Sequence, residues 1–276
     1  MLEAILTAAI CVSAIGLLAA LVLVLAARFM AVKENPLETA LRACLPGAGC
    51  GACGYPGCDG YAAALASGAE TRTNLCTPGA DAVSLQISNT LGVEFQDTIE
   101  QVATVHCRGD CTRTSKKAIY SGVDSCKGAK MLYGGEGACV YGCLGKGDCV
   151  AACPYGAVTL QDGIAHVNAR LCIGCGLCAK ACPNHIIRLT PDVARHVVVC
   201  SNKDRGAAVR KTCSGGCLGC KLCERGCPEG AITVTDNLAQ IDYEKCSRCG
   251  KCVASCPSGC IVVGDLSGRH RFPKAG

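Results

Sequence analysis

Two motifs decide the fold of this chain: Cys217-Leu-Gly-Cys220-Lys-Leu-Cys223-Glu-Arg-Gly-Cys227-Pro228 and Cys246-Ser-Arg-Cys249-Gly-Lys-Cys252-Val-Ala-Ser-Cys256-Pro257. Each is a C-x2-C-x2-C-x3-C-P run, in which three closely spaced cysteines hold one [4Fe–4S] cluster and the fourth reaches a neighbouring cluster. The proline after the fourth cysteine removes a backbone donor and turns the chain. The pattern predicts two clusters, one on Cys217, Cys220, Cys223 and Cys256, the other on Cys246, Cys249, Cys252 and Cys227.

Zinc sites and disulfide bonds are the rival interpretations of these cysteines. Structural zinc sites use two C-x2-C pairs, not a run of four that ends in C-P. Disulfide scaffolds are usually small and secreted, whereas this chain has 276 residues, of which 28 are cysteines. We therefore expect reduced thiolates in the cytoplasm and a fold that depends strongly on its metal.

A second pair of motifs lies upstream, and one half of it is intact. This half is Cys172-x2-Cys175-x2-Cys178-x3-Cys182-Pro183. The same pairing rule predicts a third cluster, bound by Cys172, Cys175, Cys178 and Cys153.

The other half of this pair lacks one of its ligand cysteines. The stretch from Cys139 to Pro154 superimposes without a gap on the stretch from Cys213 to Pro228, and Lys146 stands where Cys220 stands. A fourth cluster then has three clear ligands, Cys143, Cys149 and Cys182. Cys139 is the nearest candidate for the missing ligand, and a three-iron cluster is the alternative.

A glycine-rich motif near the N-terminus has a different spacing, C-x2-C-x4-C-x17-C. It begins Leu45-Pro-Gly-Ala-Gly-Cys50-Gly-Ala-Cys53-Gly-Tyr-Pro-Gly-Cys58 and ends at Cys76. The glycines let the backbone fold tightly around a cluster and direct amides at its sulfurs. We predict a cluster on Cys50, Cys53, Cys58 and Cys76.

If Cys11, Cys44 and Cys260 are set aside and Cys139 completes the altered site, five cysteines remain: Cys107, Cys111, Cys126, Cys200 and Cys213. Four of these would be enough for another cluster, for example the first three with either Cys200 or Cys213. Buried thiols or zinc ligation are the alternatives. The sequence thus predicts five [4Fe–4S] clusters and leaves a sixth open.

The N-terminus carries an uncharged, mostly apolar run over residues 4–27, preceded by Glu3 and followed by Arg28, Lys33 and Arg42. Its length of about 36 Å as a helix is enough to span a bilayer. The positive charges after the run predict a single-pass helix with the cluster domains on the cytoplasmic side.

The formal charge of +5 counts cysteines as neutral. Six clusters with four thiolates each would carry about −12, which takes the holoprotein to about −7. Without aromatic platforms, the basic stretches do not indicate nucleic-acid binding. The chain also lacks a strand–GxGxxG–helix unit and a nucleophile–base pair, so we expect no NAD site and no substrate-binding active site of its own.

These features together resemble the B subunit of the Rnf family, the bacterial ion-translocating ferredoxin:NAD+ oxidoreductases. An apolar N-terminal run followed by LPG-x-x-CG-x-CGYPGC carries the resemblance, and the downstream motifs fit the same family. The resemblance implies an electron-transfer subunit in the bacterial inner membrane, with soluble ferredoxin, other Rnf subunits and membrane lipid as partners. It also implies electron flow to an NAD-reducing subunit, coupled to Na+ or H+ export. A membrane polyferredoxin that feeds a hydrogenase and a cluster-assembly scaffold are the alternatives.

The expected architecture is α+β: an N-terminal transmembrane helix, a small Fe–S domain, then two tandem two-cluster ferredoxin-like modules. The predicted divisions are an anchor over 1–33, the Fe–S domain over 34–94, modules over 95–197 and 198–264, and a tail over 265–276. Each module contains a hairpin signal, with turns at Gln-Asp-Gly163 and Thr-Asp-Asn237.

Overall fold

A computed structural model of the chain describes residues 2–29, 35–264 and 266. The end of the predicted anchor, residues 30–33, and the predicted tail, apart from Leu266, lie outside the described residues. The first helix, α1, spans Leu2–Phe29.

The predicted transmembrane helix requires a correction. Across the described residues, the structure contains no helix that is both long and apolar enough to cross a membrane. The prediction of an N-terminal transmembrane helix is therefore wrong for the described chain.

The small N-terminal domain consists of three helices, α2 (Pro36–Cys44), α3 (Cys58–Ala66) and α4 (Ala80–Leu91). The Asn35 side chain caps α2 by accepting a hydrogen bond from the amide of Leu37, with proline at the first helical position. The fully buried side chains of Leu41, Tyr61 and Ile87 pack these helices together.

The first ferredoxin-like module contains four strands and three short helices. In chain order these are β1 (Gln101–Val105), α5 (Cys126–Met131), α6 (Asp148–Ala151), β2 (Val158–Gln161), β3 (Ile164–Val167), α7 (Leu177–Ala181) and β4 (Ile187–Pro191). Strands β2 and β3 form the predicted hairpin, and β1 pairs antiparallel with β4. Asp162 and Gly163 both have positive φ, as a tight two-residue hairpin turn requires.

The second module repeats this order. It contains β5 (His196–Val198), α8 (Gly206–Thr212), α9 (Leu222–Arg225), β6 (Ile232–Thr235), β7 (Leu238–Ile241), α10 (Lys251–Ala254) and β8 (Ile261–Val263). Strands β6 and β7 form a hairpin and β5 pairs antiparallel with β8. In both modules, an outer strand pair therefore brackets the motifs and an inner hairpin lies between them.

One close backbone approach recurs in both modules. Gly145 has a φ of 67°, and a Cβ there would lie 2.6 Å from the carbonyl oxygen of Gly163 in the β2–β3 turn. Gly219 has a φ of 63°, and a Cβ there would lie 3.0 Å from Asn237 in the β6–β7 turn. Each hairpin turn thus presses on the loop that carries the first cysteines of its module, which only glycine accommodates.

Candidate metal centres

The second module gathers four cysteines of one predicted set around a cavity with about 310 Å³ of free space. Cys217 and Cys220 come from the loop before α9, Cys223 lies in α9, and Cys256 follows α10. The fourth ligand thus comes from the other motif, as the pattern predicts for paired clusters. A fifth cysteine, Cys260, lines the same cavity.

The remaining set of this module surrounds Cys252 on α10. Burial raises the pKa of the Cys252 thiol, and the neighbouring charges of Cys246 and Cys249 raise it further. Cys227 packs against the same core that contains Cys252. The structure therefore places all four cysteines of this predicted set in one region.

The intact set of the first module also surrounds one cavity, with about 320 Å³ of free space. Its cysteine lining is Cys153, Cys172, Cys175 and Cys178. The amide of Ala103 donates a hydrogen bond to the sulfur of Cys172 over 3.4 Å, a contact typical of cluster ligands.

The altered site of the first module contains a cysteine that the sequence did not assign to it. Its cavity, with about 310 Å³ of free space, is lined by Cys126, Cys143, Cys149 and Cys182. Burial raises the pKa of Cys149 to about 12, and the charges of the three other thiols add to the rise. The structure thus brings Cys126, and not Cys139, to the three clear ligands.

Cys126 is held at this cavity by the start of α5. The carboxylate of Asp148 accepts hydrogen bonds from the amides of Cys126 and Lys127, at 2.9 and 3.1 Å. The Ser125 side chain accepts from the amide of Gly128 and caps the helix. Together these contacts fix Cys126 relative to α6, which begins at Asp148 and carries Cys149.

Lys146, which replaces the second ligand of the motif, is turned toward acidic partners. Its ammonium nitrogen lies 3.8 Å from a carboxylate oxygen of Asp124 and 3.8 Å from one of Glu136. It also lies 5.3 Å from the ring centre of Tyr120. Lys146 therefore stabilises the loop before α6 instead of binding metal.

A further cavity lies at the junction of the two modules and has about 460 Å³ of free space. Its cysteine lining is Cys107, Cys139, Cys143, Cys200 and Cys213. Three of these thiols come from the first module and two from the second, and Cys143 also lines the altered site. The structure thus brings together three of the five unassigned cysteines with Cys139, whereas Cys126 goes to the altered site and Cys111 is exposed.

The junction cavity is built symmetrically by the repeat. Cys107 follows β1 and its sulfur accepts a hydrogen bond from the amide of Cys143 over 3.3 Å. Cys200 follows β5 and its sulfur accepts from the amide of Cys217 over 3.2 Å. The amides of Gly109 and Asn202 donate second hydrogen bonds to the same two sulfurs. These amides point at thiols as they do around Fe–S clusters.

The N-terminal domain holds its predicted set around a cavity with about 300 Å³ of free space, lined by Cys50, Cys53, Cys58 and Cys76. Cys58 is the first residue of α3 and Cys76 lies in the loop before α4. Burial raises the pKa of Cys76 to about 11, and the charges of the three other thiols contribute to the rise.

The chemistry of these cavities fits [4Fe–4S] clusters. Each of the five cavities is lined by at least four thiols, with amide donors directed at several of the sulfurs. The raised pKa values of Cys149 and Cys76 mean that these two buried thiols keep their protons at neutral pH until metal displaces them. Every cysteine from Cys44 to Cys260 is a free thiol. Over the described residues, no group of three or more His, Cys, Asp or Glu side chains is arranged to hold a metal ion directly.

The internal repeat in the sequence contained a signal for the junction cavity, which the spacing of the cysteines alone did not reveal. The gapless superposition places Cys139 opposite Cys213, and the structure brings these two cysteines to the same cavity. The corresponding partners, Cys107 and Cys200, each follow the first strand of a module. An internal repeat therefore identifies the site better than proximity along the chain does.

Comparison with protein families supports the same division of the chain. The Fe-S cluster family matches residues 45–78. The 4Fe-4S dicluster domain family matches three overlapping ranges, residues 137–186, 171–231 and 216–260. The third of these matches covers all five cysteines around the cavity of the second module.

Curated relatives extend over most of the chain. It is 43% identical over 234 residues to the B subunit of the proton-translocating ferredoxin:NAD(+) oxidoreductase complex of Clostridium ljungdahlii, covering 84% of this chain and 82% of the relative. It is 39% identical to the B subunit of the Na(+)-translocating ferredoxin:NAD(+) oxidoreductase complex of Acetobacterium woodii, covering 89% and 74%. It is 40% identical to the B subunit of the ion-translocating oxidoreductase complex of Methanosarcina acetivorans, covering 84% and 88%. These relatives confirm the resemblance predicted from the motifs.

Proposed function

Because this chain belongs to the family of B subunits of ion-translocating ferredoxin:NAD+ oxidoreductase complexes, we propose that its six groups of four cysteines bind a continuous row of six [4Fe–4S] clusters. The chain is an iron–sulfur electron-transfer subunit of such a complex. Each cluster, when bound, takes up and passes on one electron. The residues of the chain hold the clusters in order and set their surroundings.

The row begins where the N-terminal domain meets the first module. The ammonium of Lys180, on α7, donates a hydrogen bond to the carbonyl oxygen of Cys50 over 2.5 Å. Burial raises the pKa of Cys175, and the charge of Cys50 is one of the further causes. The N-terminal site and the site that contains Cys175 are therefore neighbours.

Within each module, short helices tie two sites together. Cys149 on α6 and Cys153 just after it lie four residues apart and line different cavities. Cys223 on α9 lines the cavity of the second module, and Cys227 after it belongs to the Cys252 group. Each helix thus fixes the separation of its two sites.

The junction site joins the two modules, and this observation carries the proposal. Cys143 lines both the altered site and the junction cavity, and its amide bonds to Cys107. On the other side, Cys217 of the second module donates its amide to Cys200. Without a cluster at the junction, the row would be interrupted between the altered site and the cavity of the second module.

The ligand sets follow from this arrangement. We propose Cys126 as the fourth ligand of the altered site, which supports a four-iron cluster there instead of a three-iron one. The proposed ligands of the sixth cluster are Cys107, Cys139, Cys200 and Cys213. The other four sets are the predicted ones.

The family also suggests the electron donor and the location. We propose soluble reduced ferredoxin as the donor and the remaining subunits of the complex as the acceptors. Ion translocation requires a membrane, so we place the chain in a membrane-associated complex. The two relatives named for their ions differ, proton in one and Na+ in the other, so the coupling ion of this chain is a separate question.

Iron analysis of the anaerobically purified full chain tests the six-cluster row. We expect about 24 irons per chain, and about 20 in Cys213→Ala, which removes a ligand of the junction site. Cys111→Ala is the matched control, because Cys111 is exposed and lines none of the five described cavities. A wild-type chain with about 20 irons, or a Cys213→Ala chain that keeps all its iron and its electron paramagnetic resonance (EPR) spectrum, would remove the sixth cluster.

A further inference from the structure

The cavity of the second module contains one more thiol than a [4Fe–4S] cluster uses. Cys260 lines it beside Cys217, Cys220, Cys223 and Cys256. Its side chain is only 1% exposed, and its sulfur lies 3.7 Å from the sulfur of Cys256 in a thiol–thiol hydrogen bond. The four proposed ligands are complete without it, so the presence of this buried thiol needs a separate explanation.

The internal repeat shows that this thiol is a departure from the other motifs. In each motif, the last cysteine is followed by Pro-x-x, and the comparison concerns the residue after these three. The residues at this position are Ala157, Ile186, Ala231 and Cys260. Ala157 and Ile186 line the cavities of their own sites, as Cys260 does. The position is therefore a cavity-lining position in the repeat, and it is apolar in the other three motifs.

The backbone around Cys260 keeps its sulfur in place. The carbonyl oxygen of Cys260 accepts a hydrogen bond from the amide of Val199 over 2.8 Å, and β8 begins at the next residue. The carbonyl oxygen of Gly259 accepts a hydrogen bond from the guanidinium of Arg108 over 2.7 Å. Cys260 is thus anchored on the β5–β8 pair and is not part of a free loop.

We propose that Cys260 is a positioning residue for the cluster of this cavity, whose S–H donates a hydrogen bond to the ligand sulfur of Cys256. The inference rests on the proposed function, since it requires a cluster at this site. When Cys256 binds iron as a thiolate, Cys260 carries the only proton of the pair and becomes the donor. The thiol of Cys260 also contacts the sulfur of Cys217, a second ligand of the same cluster. A donor to a ligand sulfur withdraws negative charge from it, which stabilises the more negative reduced cluster. Cys260 therefore makes this cluster easier to reduce than it would be with alanine at the same position.

The substitution Cys260→Ala tests this proposal, because alanine occupies the equivalent position in two of the other motifs and should be accommodated. We expect unchanged iron content and one cluster of the full holoprotein with a more negative potential in an EPR-monitored redox titration. A tenfold fall in its equilibrium constant for one-electron reduction corresponds to about 59 mV. Cys260→Ser, which retains a donor, should restore part of the shift.

Two further measurements separate hydrogen bonding from packing. The infrared S–H stretching band of the wild-type chain should contain a component at lower frequency than that of a free thiol, which disappears in Cys260→Ala. The reciprocal change, Ala157→Cys, adds a thiol at the equivalent position of the first module and should make one cluster there easier to reduce.

The outcomes distinguish this proposal from the proposed function. A wild-type chain that lacks iron at this site overturns the proposed function, and this is measured before any variant. Loss of about four irons in Cys260→Ala would make Cys260 a ligand and overturn the positioning role. Full iron content with every potential unchanged in Cys260→Ala would also overturn it.

Discussion

The two ferredoxin-like modules have the same order of strands and helices, but they complete one of their sites differently. In the second module, Cys220 comes from within the motif, two residues after Leu218. In the first module, Lys146 occupies that position and Cys126 reaches the cavity from a separate helix, α5. The comparison teaches that the geometry of a thiol site is specified by where sulfurs meet in space and not by one spacing along the chain.

Asp148 is the residue that makes this alternative possible. It holds the amides of Cys126 and Lys127, whereas the corresponding residue of the second module is Leu222. The helix that precedes the motif in the second module, α8, contains no cysteine, so it brings no ligand to the site for Leu222 to orient. The two modules therefore differ at two linked positions, a ligand and the carboxylate that orients its replacement.

The largest effect should follow from Cys126→Ala. We expect loss of about four irons, or conversion of the altered site to a three-iron cluster with its distinct EPR signal, because three thiols remain there. Iron analysis and EPR of the anaerobically purified chain measure this effect, with Cys111→Ala as the control. A Cys126→Ala chain that keeps its full iron content and EPR spectrum would show that a residue other than Cys126 is the fourth ligand.

Lys146→Cys should recover most of that loss when it is combined with Cys126→Ala. The new thiol restores the spacing of the second module at a loop that already has its glycine turn, Gly145. The measurement is the iron content of the double variant beside that of Cys126→Ala. If the double variant stays as poor in iron as the single one, the two modules differ in loop shape as well as in ligand identity.

A smaller effect is expected from Asp148→Leu, which installs the residue of the second module. Two amides lose their acceptor, at about 1 kcal/mol for each hydrogen bond, so α5 should open more often and the altered site should lose its cluster faster to a chelator. Asp148→Asn keeps one acceptor oxygen and should lie between this variant and the wild type. Equal loss rates for all three chains would show that Cys126 is placed by other contacts.

The smallest effect concerns the contact between the N-terminal domain and the first module. Lys180→Met removes the hydrogen bond to the carbonyl oxygen of Cys50, at about 1 kcal/mol, and should slow electron transfer between these sites without loss of iron. Rapid-mixing reduction of the holoprotein measures the rate, and Lys211→Met on α8 is the surface-lysine control. Identical rates in both variants would show that the contact between Lys180 and Cys50 does not help to position the N-terminal domain.

The sequence predicted those parts of the site that depend on local spacing. The C-x3-C-P ending predicted that the last cysteine of each motif lies at the site of the other motif. Cys153 and Cys182 do so, because a short helix separates the two cavities. The hairpins followed from alternating residues around Asp162-Gly163 and Asp236-Asn237. These features arise within a few residues of one another, so a local pattern is enough to identify them.

The part that could not be predicted depends on a loop without periodicity. Residues 107–139 contain four cysteines at irregular intervals, and only the folded loop shows that Cys126 and Cys139 go to different cavities. The prediction of a transmembrane helix from the N-terminal apolar run was wrong. Within the described residues, the structure does not bear out a membrane-crossing helix.

The shared junction site has a consequence for biosynthesis. Its first thiol, Cys107, leaves the ribosome early, but its last, Cys213, is made only after the whole first module has been translated. The N-terminal site is complete once Cys76 has emerged, so cofactor loading can begin there during translation, while the junction has to wait. A chain divided between the modules would leave each fragment with half of the ligand set proposed for the junction, so this site can form only after both modules have been made.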